Sequence, residues 1–149
     1  MATRHIMMAL LTASLVACSA DEGSTRQVHS TEAVYPAVGP YSQMVQAGNL
    51  YFLSGVIPLN IEGDEIQGDD IEAQTRQVLD YITATLESQS LSLTDVVSST
   101  VYMTDLSEFA AMNRVYGEYF AEEPPARATV EVSGLPRGVK IEISVIASK

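Results

Sequence analysis

The sequence predicts one α+β domain, in which two amphipathic helices cover one face of a β-sheet. Several short segments alternate apolar and polar residues, as half-buried strands do. Two longer segments carry apolar residues at helical spacing, and the connections are too short to place helices on both faces. A chain of 149 residues suits one domain rather than two.

The domain is predicted to span residues 33–149 and to begin with two strands. Gly39-Pro40 marks a turn. The segments 44–45 and 50–56 are then predicted as strands, joined through Gly48-Asn49. Together they form the first part of the sheet.

Two helices follow, separated by one strand. Asp69, with Glu72 three residues later, predicts a capping box at the start of the first helix. After a strand over 96–103, the second helix is predicted over 106–120 and is ended by Pro124-Pro125. The stripes predicted to be buried are Ile71, Thr75, Val78, Leu79, Ile82 and Leu86, and then Phe109, Met112, Tyr116 and Phe120.

Two further strands, over 125–132 and 139–143, complete the order ββαβαββ. Each alternates an apolar and a polar row, and both polar rows are predicted to lie on the sheet face that the helices leave free. A fixed cation and a fixed carboxylate on one face can bind a small acid and activate a water beside it. The polar rows are Arg127, Thr129 and Glu131 on the first strand and Lys140, Glu142 and Ser144 on the second.

The N-terminal segment is predicted to direct export. Residues 1–17 combine Arg4, an apolar run too short to span a bilayer and small residues, as a secretory signal does. Leu15-Val16-Ala17-Cys18 resembles the bacterial lipobox, in which the cysteine is acylated. Residues 18–32 are predicted as a flexible tether with a solvated His29.

This segment predicts that the protein lies in the bacterial cell envelope, on the periplasmic side, and is held there by a lipid on Cys18. Two alternatives remain open. In the first, the segment is an ordinary cleaved signal without a lipid. In the second, translation starts later, at Met7 or Met8.

Composition excludes several kinds of chemistry. The net charge of −11, from 8 Lys+Arg and 19 Asp+Glu, opposes binding to nucleic acid. His5, His29 and Cys18 all precede the predicted domain, which therefore lacks the side chains of a zinc site or of a Cys- or His-based catalytic site. Carboxylates, hydroxyls, arginine and asparagine are left to perform any reaction.

Five motifs, in order along residues 33–149, resemble those of the RidA (YjgF) family. They are Gly39-Pro40-Tyr41-Ser42-Gln43, Ser54-Gly55-Val56-Ile57-Pro58, Met112-Asn113-Arg114-Val115-Tyr116, Pro125-Ala126-Arg127 and Lys140-Ile141-Glu142-Ile143. The resemblance implies a chorismate-mutase-like mixed sheet and a homotrimer with active-site clefts between subunits. It also implies that the last two strands are not hairpin neighbours.

The resemblance implies an activity as well. RidA-type proteins hydrolyse reactive enamines and imines, such as 2-aminoacrylate, to 2-keto acids and ammonia, without a metal or cofactor. Arg127 matches the arginine that binds the substrate carboxylate, and Glu142 matches the glutamate that activates water. The other matched cleft positions, assigned to substrate binding, are Tyr41, Ser54, Asn113 and Thr129.

Two positions depart from the family pattern. Thr129 stands where the family often has cysteine, so a thiol has no part in the mechanism here. Val56 replaces a frequent glutamine, which changes the polarity expected near the cleft.

Two other functions remain open. In the first, the domain is a non-catalytic, chaperone-like module that binds small carboxylates. This alternative is motivated by location, because the enzymes that typically release 2-aminoacrylate are cytoplasmic whereas this chain is predicted to carry an export signal. An RNA-cleaving role, sometimes linked to the family, is opposed by the acidic charge and the lack of histidine in the domain.

Acylation of Cys18 is directly testable. We expect the full-length protein to incorporate radiolabelled palmitate and a Cys18→Ala variant to lose both the label and its membrane association. An unlabelled wild-type protein, together with a normally localised Cys18→Ala variant, would contradict the lipid anchor.

Overall fold

A computed structural model describes residues 26–149; the predicted signal at 1–17 and Cys18 lie outside this range. Three short 3₁₀ turns, at Leu93–Asp95, Leu106–Glu108 and Pro136–Gly138, lie between the main elements. The helices are α1 (Ile71–Glu87) and α2 (Phe109–Tyr119). The strands are β1 (Gln27–His29), β2 (Met44–Ala47), β3 (Leu50–Leu53), β4 (Val96–Met103), β5 (Ala126–Glu131) and β6 (Ile141–Ser148).

The six strands form one mixed sheet in the order β1-β2-β3-β6-β4-β5. All neighbours are antiparallel except β4 and β5, which are parallel and joined through α2. Strand β6 lies between β3 and β4. The implied separation of the last two strands is therefore confirmed, as is a mixed sheet with two helices.

Strand β1 corrects the predicted tether. Gln27–His29 pairs antiparallel with β2, so the sheet begins inside the segment 18–32 that was predicted as flexible. His29 is half-buried rather than solvated, its Nε2 lies 3.1 Å from the Gln46 Oε1, and its ring stacks on Tyr51. A strand of three residues is too short to show a hydrophobic period in the sequence. Its order comes instead from its pairing with β2.

Helix α1 packs its apolar stripe on the sheet as predicted. Its N-cap is Asp70, whose carboxylate accepts a hydrogen bond from the Ala73 backbone N–H at 2.8 Å, so the predicted cap at Asp69 is wrong by one residue. In α2, Phe109 is 37% exposed and is not part of the core. The core combines both helices with one face of the sheet and includes Met44, Leu53, Val78, Leu79, Ile82, Leu86, Val101, Met103, Met112, Ile141 and Ile143.

The opposite face of the sheet, called here the open face, carries no helix. An apolar row crosses it through Val28, Val45, Phe52 and Ile146, which are paired across β1, β2, β3 and β6. Val28 is 54% exposed and Phe52 40% exposed. Apolar side chains exposed side by side are typical of a surface that another protein covers.

Strand β5 forms one edge of the sheet and pairs only with β4. Its residues are exposed on both faces, except for the half-buried Thr129. Its apolar row was predicted to be buried, and within one chain this prediction is wrong. The reason is the register with β4, which aligns Val130 with Tyr102 and so places this row on the open face, where no helix of the described residues covers it. Within residues 26–149, no helix is both long enough and apolar enough to span a membrane.

Candidate active site

Glu142 lies on β6 with its side chain on the open face, since its neighbours Ile141 and Ile143 point into the core. The backbones of Ile143 and Val56 exchange two hydrogen bonds, of 2.9 and 3.1 Å, which hold the segment after β3 against β6. A Cβ on Gly55 would overlap the Glu142 carboxylate and lie 2.7 Å from its Cδ. Glycine at position 55 therefore makes room for this carboxylate.

A cleft of about 280 Å³ surrounds Glu142. It contains three of the predicted site residues, Tyr41, Ser54 and Glu142, beside the apolar side chains of Val38 and Ile57. The Ser54 hydroxyl donates to the Ser42 carbonyl at 2.7 Å, so its oxygen still has a free lone pair. The Tyr41 hydroxyl accepts from the Val38 backbone N–H at 3.2 Å, so its own proton is free to donate to a ligand.

Burial raises the pKa of Glu142 above the ordinary value for glutamate. Among residues 26–149, no side chain or backbone N–H donates a hydrogen bond to its carboxylate that would offset this loss of solvation. A carboxylate of raised pKa that keeps its lone pairs free is suited to accept a proton near neutral pH.

Arg127 lies on the other side of the sheet. Its guanidinium sits 4.4 Å from the centroid of the Tyr116 ring and 5.8 Å from that of Phe109, both on α2. Its Nη2 donates to the Asn113 Oδ1 at 2.7 Å. A second cleft, of about 390 Å³, is bordered by Arg127, Tyr116 and Asn113, and its wall is completed by Phe120 and Pro125.

The prediction that Arg127 and Glu142 share one sheet face is therefore wrong. Strand β4 separates their strands, and its register aligns Arg127 with Ser99 and, on β6, with Val145. Glu142 is instead aligned with Tyr102. Side chains alternate along a strand, so Arg127 lies on the helix side and Glu142 on the open face. The alternation within each strand was right, but the register between the strands was needed to assign the faces.

The structure thus places five of the six predicted site residues of the domain in two separate groups, called here half-sites. The carboxylate half-site holds Glu142 with Tyr41 and Ser54, and the guanidinium half-site holds Arg127 with Asn113. Thr129 is the sixth; it lies two residues beyond Arg127 on the same face, aligned with Val101 on β4.

Thr129 borders a set of buried hydroxyls on the helix side of the sheet. Its Oγ1, the Ser99 Oγ and the Tyr116 hydroxyl are all buried without a hydrogen-bond partner in the described part of the chain. Burial raises the pKa of Tyr116, although the neighbouring Ser99 and Arg127 act in the opposite direction. Thr129 itself does not line the cleft beside Arg127.

A family model described as Endoribonuclease L-PSP matches residues 31–149. The chain belongs to this family. A RutC family protein of Pyrococcus horikoshii is 51% identical over 124 residues, which cover 83% of this chain and 98% of the relative. The 2-iminobutanoate/2-iminopropanoate deaminase of Escherichia coli is 44% identical over 121 residues, which cover 79% and 94%.

Solved structures of the L-PSP family share the fold. The crystal structure of E. coli TdcF with bound serine has a TM-score of 0.78 to this chain at 36% identity, and the match covers 83% of this chain and 98% of TdcF. The resemblance inferred from the five motifs is thereby confirmed at the level of the family.

Over residues 26–149, no group of three or more His, Cys, Asp and Glu side chains is placed to hold a metal ion. The polar groups that the two half-sites offer a ligand are a guanidinium, a carboxylate, an amide and hydroxyls.

Sequence reasoning missed two residues of this L-PSP site. Tyr116 was predicted as part of a core stripe and quoted in a motif without a role in the site, yet its ring faces Arg127. Its spacing from Asn113, three positions along one helix, was a signal that both lie on one face. Gly55 was quoted in a motif, and its role became evident only from its closeness to Glu142.

The raised pKa of Glu142 predicts a pH-dependent effect on stability. Below the unfolded-state pKa of about 4.3 the carboxyl is neutral in both states. As pH rises, Glu142 ionises first in the unfolded chain, and this lowers the free energy of unfolding. The loss is complete above the pKa that Glu142 has in the folded state. We expect Glu142→Gln to raise the thermal unfolding midpoint at pH 7–8, with a difference that disappears towards pH 3.5.

Asp105→Asn provides a control of opposite sign. Hydrogen bonds from Ser107 lower the pKa of Asp105, so this carboxylate stabilises the fold above its unfolded pKa and loses the effect as pH falls. The control should lower the midpoint at neutral pH. A Glu142→Gln protein less stable than wild type at pH 7–8 would show that Glu142 is not a desolvated, unpartnered carboxylate.

Proposed function

We propose that this protein hydrolyses enamines and imines derived from small amino acids to 2-keto acids and ammonia. The observation that carries the proposal is the chemistry of the two half-sites: a guanidinium held by an aromatic ring and an amide, and a half-buried carboxylate that accepts no hydrogen bond in the described chain. The relative named as an imine deaminase, 44% identical, supports the same reaction.

Arg127 binds the carboxylate of the substrate in this proposal. One of its N–H groups is engaged by Asn113, and the others remain available for parallel hydrogen bonds to a planar carboxylate. Each such charge-assisted bond is worth about 1.5–3 kcal/mol. This binding orients the imine carbon, which is bonded to the substrate carboxylate, for attack by water.

Glu142 then acts as the general base. It takes a proton from a water whose oxygen bonds to the imine carbon, while the C=N π electrons move to nitrogen and give a carbinolamine. The protonated Glu142 returns the proton to nitrogen. A proton from solvent then converts the –NH2 group of the carbinolamine into –NH3+. The C–N bond breaks as the hydroxyl loses its own proton to solvent and becomes the carbonyl, releasing ammonia and the 2-keto acid. The hydroxyls of Ser54 and Tyr41 hold the water and the developing alcohol.

A complete site requires two copies of the chain, because the half-sites lie on opposite faces of one sheet. We propose a homotrimer, as the family resemblance implies, in which the guanidinium half-site of one subunit faces the carboxylate half-site of the next. The exposed apolar row on the open face and the uncovered edge strand β5 supply surfaces for such contacts.

Export and lipid anchoring by Cys18 remain part of the proposal. They rest on the signal-like residues 1–17 and the lipobox-like residues around the cysteine. The substrate would then be an imine formed in, or released into, the cell envelope.

Loss of either half-site should slow turnover strongly. With an imine generated in situ by an amino-acid oxidase, we expect Arg127→Ala to lower kcat/KM at least about tenfold, since one charge-assisted hydrogen bond corresponds to that factor. Glu142→Gln should lower kcat by about 10²–10⁴-fold. Release of keto acid is the measurement.

Arg76→Ala is the matched control, because Arg76 is also an exposed arginine but pairs with Glu118 away from both clefts. It should keep the wild-type rate. If the wild type binds pyruvate in calorimetry but never accelerates hydrolysis, the protein is a carboxylate-binding module instead. An active Arg127→Ala variant would contradict the site.

Complementation tests whether the site is shared between chains. Arg127→Ala and Glu142→Gln subunits, each strongly impaired alone, should regain activity when co-expressed, because some interfaces then pair an intact arginine with an intact glutamate. In a ring with random mixing, about a quarter of the interfaces are intact. Mixed oligomers without any gain in activity would place both residues in a site formed by one chain.

A further inference from the structure

The ring of Tyr116 supports the guanidinium of Arg127 from below. The cation lies 4.4 Å from the ring centroid, and Phe109 flanks it at 5.8 Å. Tyr116 is 4% exposed and fixed in the core through α2, where it stacks on Phe120. Arg127, in contrast, extends from an exposed edge strand. A rigid aromatic face therefore holds a side chain that would otherwise sample many rotamers.

The hydroxyl of Tyr116 does not explain this arrangement. It is buried and lies near the Ser99 hydroxyl without forming a hydrogen bond of good geometry. A buried hydroxyl without a partner is a cost to folding, and phenylalanine would avoid it. The feature of Tyr116 that Arg127 uses is the face of the ring.

Two contacts of different kinds fix the guanidinium. The ring of Tyr116 sets the position of the cation over the core, and the Asn113 Oδ1, at 2.7 Å from Nη2, sets its rotation. Such preorganisation reduces the conformational entropy that is lost when a carboxylate binds. Its effect falls on binding of the substrate carboxylate rather than on the proton transfers at Glu142.

We propose that Tyr116 is a positioning residue, which prepares Arg127 for the substrate carboxylate through the face of its ring. The inference rests on the proposed function for its substrate, although the binding of a simple carboxylate tests it separately. Replacing the ring should raise KM and leave kcat unchanged. Keeping the ring and removing the hydroxyl should change neither.

The experiment compares Tyr116→Phe with Tyr116→Leu in the full-length protein. We expect Tyr116→Leu to raise KM for the imine, and Kd for pyruvate in calorimetry, by about 3–30-fold, the range of a desolvated cation–π contact. Tyr116→Phe should match the wild type in both. Tyr119→Leu is the matched control: it lies on the same helix, 6.0 Å from Arg76 rather than Arg127, and should change neither constant.

Fluorinated phenylalanines at position 116 keep the proposal testable if Tyr116→Leu does not fold. Successive fluorine atoms weaken the ring quadrupole at nearly constant volume, so KM and Kd should rise stepwise with fluorination. Unchanged constants in this series, or an equal loss in Tyr116→Phe and Tyr116→Leu, would overturn the proposal.

The outcomes separate this inference from the proposed function. A wild-type protein that binds pyruvate without hydrolysing imines contradicts the reaction, while the Kd series still decides the role of Tyr116. A wild-type protein that hydrolyses imines, with a KM insensitive to the ring at position 116, contradicts the positioning role alone. Failure of the wild type to bind pyruvate and to hydrolyse imines overturns both.

Discussion

The pairing of β4 with two strands of opposite direction determines how the polar groups of this protein are arranged. β4 runs parallel to β5 on one side and antiparallel to β6 on the other. Because its register aligns Ser99 with Arg127 and Tyr102 with Glu142, the cation is directed to the helix side and the carboxylate to the open face. A shift of one residue in either pairing would reverse one of these directions.

This arrangement prevents the two charges from neutralising each other within one chain. A salt bridge between Arg127 and Glu142 would occupy the groups that a substrate and a water require. Instead Arg127 contacts aromatic faces and one amide, which leave N–H groups free. Glu142 lies against the backbone at Gly55, where burial raises its pKa and keeps it basic. Both groups therefore remain available to a ligand, which in the proposed homotrimer would lie between neighbouring subunits.

The sequence was sufficient wherever the structure depends on local pattern. The strand over 96–103 has the predicted bounds, and the stripe of α1 from Ile71 to Leu86 is buried as predicted. Non-local contacts decided the rest. β1 exists because β2 pairs with it, and the face that Arg127 occupies depends on a register that neither strand encodes alone. The role of Gly55 follows from its contact with a residue 87 positions away in the chain.

A site divided between subunits makes activity a matter of mass action. In the proposed homotrimer each site takes its arginine from one chain and its glutamate from another, so catalytic competence would follow the association equilibrium rather than the folding equilibrium. Dilution in solution would then lower the activity of each chain, even though every chain stays folded. Confinement to a membrane surface through a lipid on Cys18 would act in the other direction, since it raises the local concentration of chains and favours their assembly.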